Sequence, residues 1–278
     1  MRLSSFALAA AAATTLAALA VPASPLGAQE YPEGVARSLA DCRNQSDDDR
    51  ERLCEVRTVA VARGTRALDI DASTNGGIRV TAWDRDSIAV HALVQTWGED
   101  AAEAREIAQG VRVAASAGRI RTEASPSTRR RTGYAVSYHV FAPRGTDIDA
   151  RSGNGGITID GIAGRVDVQA RNGGIAIRNA GGDVRGRTTN GGITLALAGS
   201  RWNGRGVELE TTNGSVTVTV PDDFNADLEA STVNGAFDID FPVTLQGRID
   251  RRLTTKIGNG GPLVRVATTN GPVRIRRG

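Results

Sequence analysis

Three near-copies of one phrase constrain this chain more than anything else in it: NGGITIDG, NGGIAIRN and NGGITLAL, with asparagines at Asn154, Asn172 and Asn190, a period of 18. A strand, crossover helix and second strand need about 30 residues, so the unit is too short for that and long enough for two short strands with two corners. Each Asn-Gly-Gly corner leads into alternation: Ile157 and Ile159, then Ile175 and Ile177, then Ile193, Leu195 and Leu197. A second corner, Gly161 to Gly164, leads into Val166, Val168 and Ala170. Period-two alternation marks a strand with one face buried and one wet. The few apolar side chains of one unit recover less free energy than ordering its backbone costs. Such units persist only when stacked, sharing ladder hydrogen bonds and a continuous core.

Further corners stand at Asn75, Asn213, Asn234, Asn259 and Asn270, and the spacing after Asn190 runs 23, 21, 25 and 11. Insertions such as 200–206 lengthen corners and leave ladders intact. Asn and Gly suit sharp corners because both tolerate positive φ. Two architectures use the pair. A hairpin meander makes type I′ turns of it, whereas a solenoid places it at one edge of every coil, where Asn side chains stack and exchange amide hydrogen bonds. One identical corner per 18 residues, with a different corner between, suits one full coil per repeat. The expected fold is therefore all-β: a parallel, β-helix-like β-solenoid of short strands with Asn-Gly corners. Antiparallel contact between Val168 and Ile177 would be the mark of the meander. Residues 98–111 (GEDAAEAREIAQGV) break the alternation and put Ile107, Ala108 and Val111 on one side, so one short inserted helix is expected, lying over an open edge or end of the stack.

The front of the chain reads differently. Arg2, an apolar run from Phe6 to Val21, then small residues and Pro22 have the form of a secretory signal cut after Ala28 or Ala23. The run is short for a membrane span and is bounded by Pro22 and Pro25. The mature chain is thus expected to be exported without a transmembrane segment, to the periplasm, the cell surface or the medium. Cys42 and Cys54 are the chain's two cysteines, and in an oxidising compartment they are expected to form one disulfide. A metal site would want further Cys or His nearby. The expected organisation is 1–28 signal peptide, 29–57 disulfide-stapled segment and 58–278 β-strand-repeat domain.

A 40% hydrophobic share argues against disorder, and 4% aromatic content means a core of Val, Ile, Leu and Ala. The formal charge is only +3, and Arg165, Arg171, Arg178, Arg185 and Arg187 fall on outward positions. That is a solvated strand face, without a recognised nucleic-acid module, so no nucleic-acid partner is expected. Two places suggest ligand contact. Arg129, Arg130 and Arg131 crowd one loop, which is either an ordinary wet loop tip or a contact for phosphate or an acidic glycan, and Trp202, beside Asn203 and Arg205, either stacks on a sugar or folds back over the rim. For an enzyme the candidate carboxylates are Asp222 with Asp223, which sit in a turn, and Asp238 with Asp240, which alternate with Phe237, Ile239 and Phe241 and so face water from one strand. His91 and His139, the two histidines, give little support to a metal site or a catalytic triad. Calcium-binding nonapeptide coils need a recurring Asp; Asp160 is followed by Arg178 and Ala196 at the equivalent places, so neither metal nor cofactor is expected.

The NGGI and TTNG corners, the phrase VPDDFNADLEASTVNG, the tail GNGGPLVRVATTNGPVRI and the upstream signal together resemble the bacterial domain-of-unknown-function family of β-strand-repeat putative adhesins, over about residues 56–278. The resemblance implies an extracytoplasmic β-solenoid and supplies no catalytic residues. The expected function is an exported, non-catalytic protein that binds an envelope glycan or protein. The alternatives are a carbohydrate-active enzyme on the same scaffold and a purely structural envelope element.

Overall fold

Chain order in the computed structural model, which describes residues 31–45, 50–62, 64–124, 131–197, 202–241 and 251–278, begins with helix α1 (Glu33–Asn44) and strands β1 (Glu51–Ala60), β2 (Ala67–Asp71), β3 (Ile78–Trp83) and β4 (Ala89–Gly98). Helix α2 (Ala101–Gly110) and strands β5 (Arg112–Ser116), β6 (Arg119–Glu123) and β7 (Gly133–Pro143) follow. Then come two-strand coils: β8 (Asp147–Asn154) with β9 (Ile157–Asp160), β10 (Val166–Asn172) with β11 (Ile175–Ala180), β12 (Val184–Asn190) with β13 (Ile193–Leu197), and β14 (Gly206–Asn213) with β15 (Val216–Val220). The chain finishes with β16 (Ala226–Asn234), β17 (Phe237–Ile239), β18 (Arg252–Ile257), β19 (Leu263–Asn270) and β20 (Val273–Arg277). The signal segment 1–28 lies outside the described residues, as do Arg129 and Arg130. Among the described residues no helix is long and apolar enough to cross a membrane.

Each coil gives one strand to each of two open ten-stranded sheets. Sheet I runs β1-β4-β7-β3-β9-β11-β13-β15-β20-β17, and sheet II runs β18-β16-β19-β14-β12-β10-β8-β2-β6-β5. Pairing between coils is parallel: Val168 lies between Ala150 and Gly186, and Ile177 between Ile159 and Leu195. The chain is a parallel solenoid, and the antiparallel meander is excluded. Inward side chains alternate along both faces. Sheet I contributes Ile157 and Ile159, Ile175 and Ile177, Val216 and Val218; sheet II contributes Ile148 and Ala150, Val166 and Val168, Val264 and Val266, all at most 1% exposed. These rows form one apolar cluster running the length of the stack.

Neither end of the stack is left as a bare coil. At the first, β7 pairs parallel with β3, and β4 and β1 continue sheet I antiparallel, while β6 and β5 extend sheet II. The helix expected over 98–111 is α2. Asp100 caps it by accepting from Ala102 and Glu103 amides, Ala104 and Ala108 are buried, and it packs on β4 and the edge strand β1. Arg57 of β1 donates to the carbonyls of Ala108 and Val111, satisfying groups that a helix C-terminus leaves open. A second helix, α1, joins it. Val35, Leu39 and Cys42 form its one buried stripe, and the Cys42–Cys54 disulfide ties it to β1. Strand β1 pairs with β4 along its whole length and runs through the 57–58 junction, so the disulfide segment and the repeat share a strand.

At the other end, spatial order departs from chain order. The last coil, β19 with β20, lies between β14–β15 and β16–β17, and β18 folds back antiparallel outside β16.

Candidate functional site

The corners form a continuous edge. Asn154 donates its side-chain amide to Asn75 at 3.0 Å, Asn172 to Asn154 at 2.7 Å, Asn190 to Asn172 at 2.7 Å and Asn213 to Asn190 at 2.8 Å. The row continues in spatial order, Asn270 to Asn213 at 2.7 Å and Asn234 to Asn270 at 2.8 Å. All these bonds point one way, so the amide dipoles add along the stack. Two residues before five of the ladder's Asn stands a second, buried row: Ser152, Thr188, Thr211, Thr268 and Thr232 donate hydroxyls to the carbonyls of Gly76, Gly173, Gly191, Gly214 and Gly271 in neighbouring coils. The first glycine of each corner is there because coils touch backbone to backbone: a Cβ on Gly173 would lie 2.2 Å from the Gly155 oxygen. Asn259 is outside the ladder. It lies in the turn between β18 and β19, where its backbone amide donates to Asn225 Oδ1 at 2.7 Å.

This rigid edge fixes what the outer face of sheet II displays. Register places Arg119, Asp69, Asp149, Asp167, Arg185, Glu208, Arg265 and Glu229 in one row across successive strands. Arg121 pairs with Asp69 at 2.7 Å, Arg185 and Arg187 both hold Glu208, at 3.0 and 2.6 Å, and Arg265 pairs with Glu229 at 2.9 Å. Burial alone would raise Glu208, but the Arg187 hydrogen bond and the two guanidinium charges hold it below the usual carboxylate range. Asp183 is held low by hydrogen bonds from the backbone and side chain of Arg205. Asp149 goes the other way: burial pushes it up, against Arg151, and the neighbouring Asp167 and Asp69 add to the push. A cleft of about 490 Å³ opens along this face between Arg165, Asp167, Asp183, Arg185, Arg205 and Arg265. Within it the Arg165 side chain makes no hydrogen bond or ion pair among the described residues, and Asp167 Oδ1 is closed off without a hydrogen-bond donor. The cleft combines an available cation with fixed ion pairs of both signs.

The residues singled out by sequence are scattered. Trp202 folds over the rim, donating Nε1–H to the Gly182 carbonyl at 2.8 Å with its ring 6.1 Å from Phe224. It is half-buried against the core, and the same loop carries Arg205 to the cleft. Arg131 is on the approach to β7, away from the cleft lining. Asp238 and Asp240 are both engaged by Arg276, the latter at 2.7 Å. Asp222 and Asp223 occupy the turn before β16. Among the described residues no group of three or more His, Cys, Asp or Glu could hold a metal ion. Two features escaped the sequence reading. The Asp69–Asp149–Asp167 run depends on coil order, and the opposition of His91 and His139 depends on the antiparallel register of β4 and β7. Neither is visible to a local pattern.

No curated protein matches the chain. Among solved structures it is similar to a putative cell adhesion protein from Clostridium sporogenes, at 12% identity over 82% of this chain and 100% of that one, with a TM-score of 0.46. It is also similar to a putative adhesin from Bacteroides fragilis, at 13% identity over 81% and 97% of the two chains, with a TM-score of 0.45. The family model described as Toastrack DUF4097 matches residues 108–276. That span is more than half of the 278 residues, and the chain belongs to the Toastrack DUF4097 family.

Proposed function

We propose that the chain is an exported, non-catalytic binding protein of the cell envelope, and that the outer face of sheet II meets its partner, a repetitive polar polymer of the envelope-glycan kind. The observation that carries this reading is the in-register row of Arg and carboxylate side chains, recurring from coil to coil on a frame fixed by the asparagine ladder. A partner with its own repeat gains from many small contacts held at fixed spacing. Arg165 is the cation available to it, and Trp202 lies at the rim of the same face. The disulfide supports export, because such bridges persist in oxidising compartments. A binding role is also favoured by how the candidate catalytic carboxylates are used: Asp238 and Asp240 serve as counter-ions to Arg276.

Pull-down from intact envelope tests this reading. Retention of a glycan, weakened several-fold by Arg165→Gln with an unchanged melting temperature, is the expected result. Retention of a protein in place of glycan would move the partner class. Turnover of acidic or neutral polysaccharides by the purified chain would contradict the non-catalytic assignment.

A further inference from the structure

Helix α1 docks on sheet I through Val35, Leu39 and Cys42, and along its flank it leaves a groove of about 480 Å³ above strands β3 and β7. Arg79, His139 and Phe141 form the floor; Glu33, Arg37 and Asp41 form the helix wall. His139 is 6% exposed, and its Nδ1 is shut off from solvent with no hydrogen-bond partner. Its Nε2 makes no hydrogen bond among the described residues and is not shut off, so Nε2 is the nitrogen that meets the groove. An orphaned buried lone pair costs less than an orphaned N–H, which puts the proton of the neutral imidazole on Nε2. The ring then offers the groove a donor.

Arg79 stands beside His139 in register and makes no hydrogen bond or ion pair among the described residues. On the other side of His139 is His91, whose Nδ1 lies 3.1 Å from Thr58 Oγ1. Across the groove Glu33 is held by Arg37 at 2.5 Å, while Asp41 has no partner among the described residues. Helix α1 has no side-chain cap, so its first amides add positive potential at the Pro32 end.

We propose that this groove is a binding site for a small monocarboxylate, taken by the Arg79 guanidinium and His139 Nε2–H, with Phe141 against its apolar body. An unpaired guanidinium next to a neutral donor suits one carboxylate. The two arginines and two carboxylates lining the groove balance, so a dianion such as phosphate would meet Asp41 and Glu33 with charge to spare. The volume falls in the range of small-ligand sites. This site lies on sheet I, apart from the cleft on sheet II, and stands or falls independently of the envelope-binding role.

The test is an NMR titration of the isotope-labelled protein with acetate, D-glucuronate and inorganic phosphate at constant ionic strength, following the His139 imidazole nitrogens. The expected result is a saturable shift with acetate or glucuronate at concentrations up to about 100 mM, with phosphate binding more weakly. Arg79→Gln, a change at an exposed position, is expected to weaken that binding at least about tenfold at an unchanged melting temperature. No saturable shift with either carboxylate, a shift unaffected by Arg79→Gln, or phosphate binding as tightly as the carboxylates would overturn the proposal.

Discussion

Gly173 and Gly174 are neighbours in one corner, yet a methyl group meets different surroundings at each. On Gly173 it would lie 2.2 Å from the Gly155 oxygen, whereas on Gly174 the nearest atom is 3.4 Å away. The equivalents of Gly174 are Gly in three other corners and Ser215, Ala236 and Pro272 in the rest of the ladder. Gly173→Ala is therefore expected to cost about 2–4 kcal/mol in chemical denaturation, and Gly174→Ala less than about 1 kcal/mol. The hydroxyl row allows a gain. Ala170 stands where neighbouring coils carry Ser152 and Thr188, so Ala170→Thr should supply a donor to the Gly155 carbonyl and raise stability by about 0.5–1 kcal/mol. His139 gives a pH dependence. Burial, with help from Arg79 and His91, lowers its pKa to about 4, against 6.5 when unperturbed. Between those values the unfolded chain binds the proton and the folded chain does not. The contribution is therefore complete above pH 6.5 and is lost as the pH falls toward 4, by at most about 3 kcal/mol. His139→Gln should flatten that part of the stability profile. At this scale the sequence spoke clearly about Asn and Gly, although close approach of coils, rather than positive φ alone, explains the glycines.

The elements differ in how far local pattern reveals them. Strands β8 to β11 and β13 were legible because Ile, Val, Leu and Ala recur at every second position, whereas β12 carries only Val184 and was implied by the 18-residue repeat alone. Helix α2 was legible from its Ala, Glu and Arg spacing. Helix α1 was not: its buried stripe is only Val35, Leu39 and Cys42, followed by an acidic run that reads as loop. Twelve residues are too few to hold a helix in isolation, so α1 depends on its tether. Reducing the Cys42–Cys54 bridge is expected to cost about 3 kcal/mol and to speed hydrogen exchange of the α1 amides, while amides of β10 to β13 keep their protection. Equal loss of protection in α1 and the coils would show that the helix is integral to the stack. Exchange measured by mass spectrometry with and without reductant separates the two outcomes.

On the scale of the whole molecule, stacking order was the least legible property, because every coil presents the same kind of corner to its neighbours. A trace of it survives in the phrases: β12, β14 and β19 all end in Thr-Thr-Asn and lie side by side, whereas β16 ends in Thr-Val-Asn, lies beyond them and leaves Val233 47% exposed. Asn259 misled for a related reason. Its Asn-Gly pair serves a turn that carries the chain from antiparallel β18 back to parallel β19, so it has no coil below it to join. The same limit hid the cleft on sheet II, since Arg185 meets Glu208, and Arg265 meets Glu229, only after coils are ordered in space. The ladder follows that spatial order and not chain order, running from Asn213 to Asn270 to Asn234. Through-space proton contacts on methyl-labelled protein test it directly. The predicted result is that Ile275 contacts both Val218 and Ile239, one on each side; direct contact between Val218 and Ile239, with Ile275 outside them, would contradict the account.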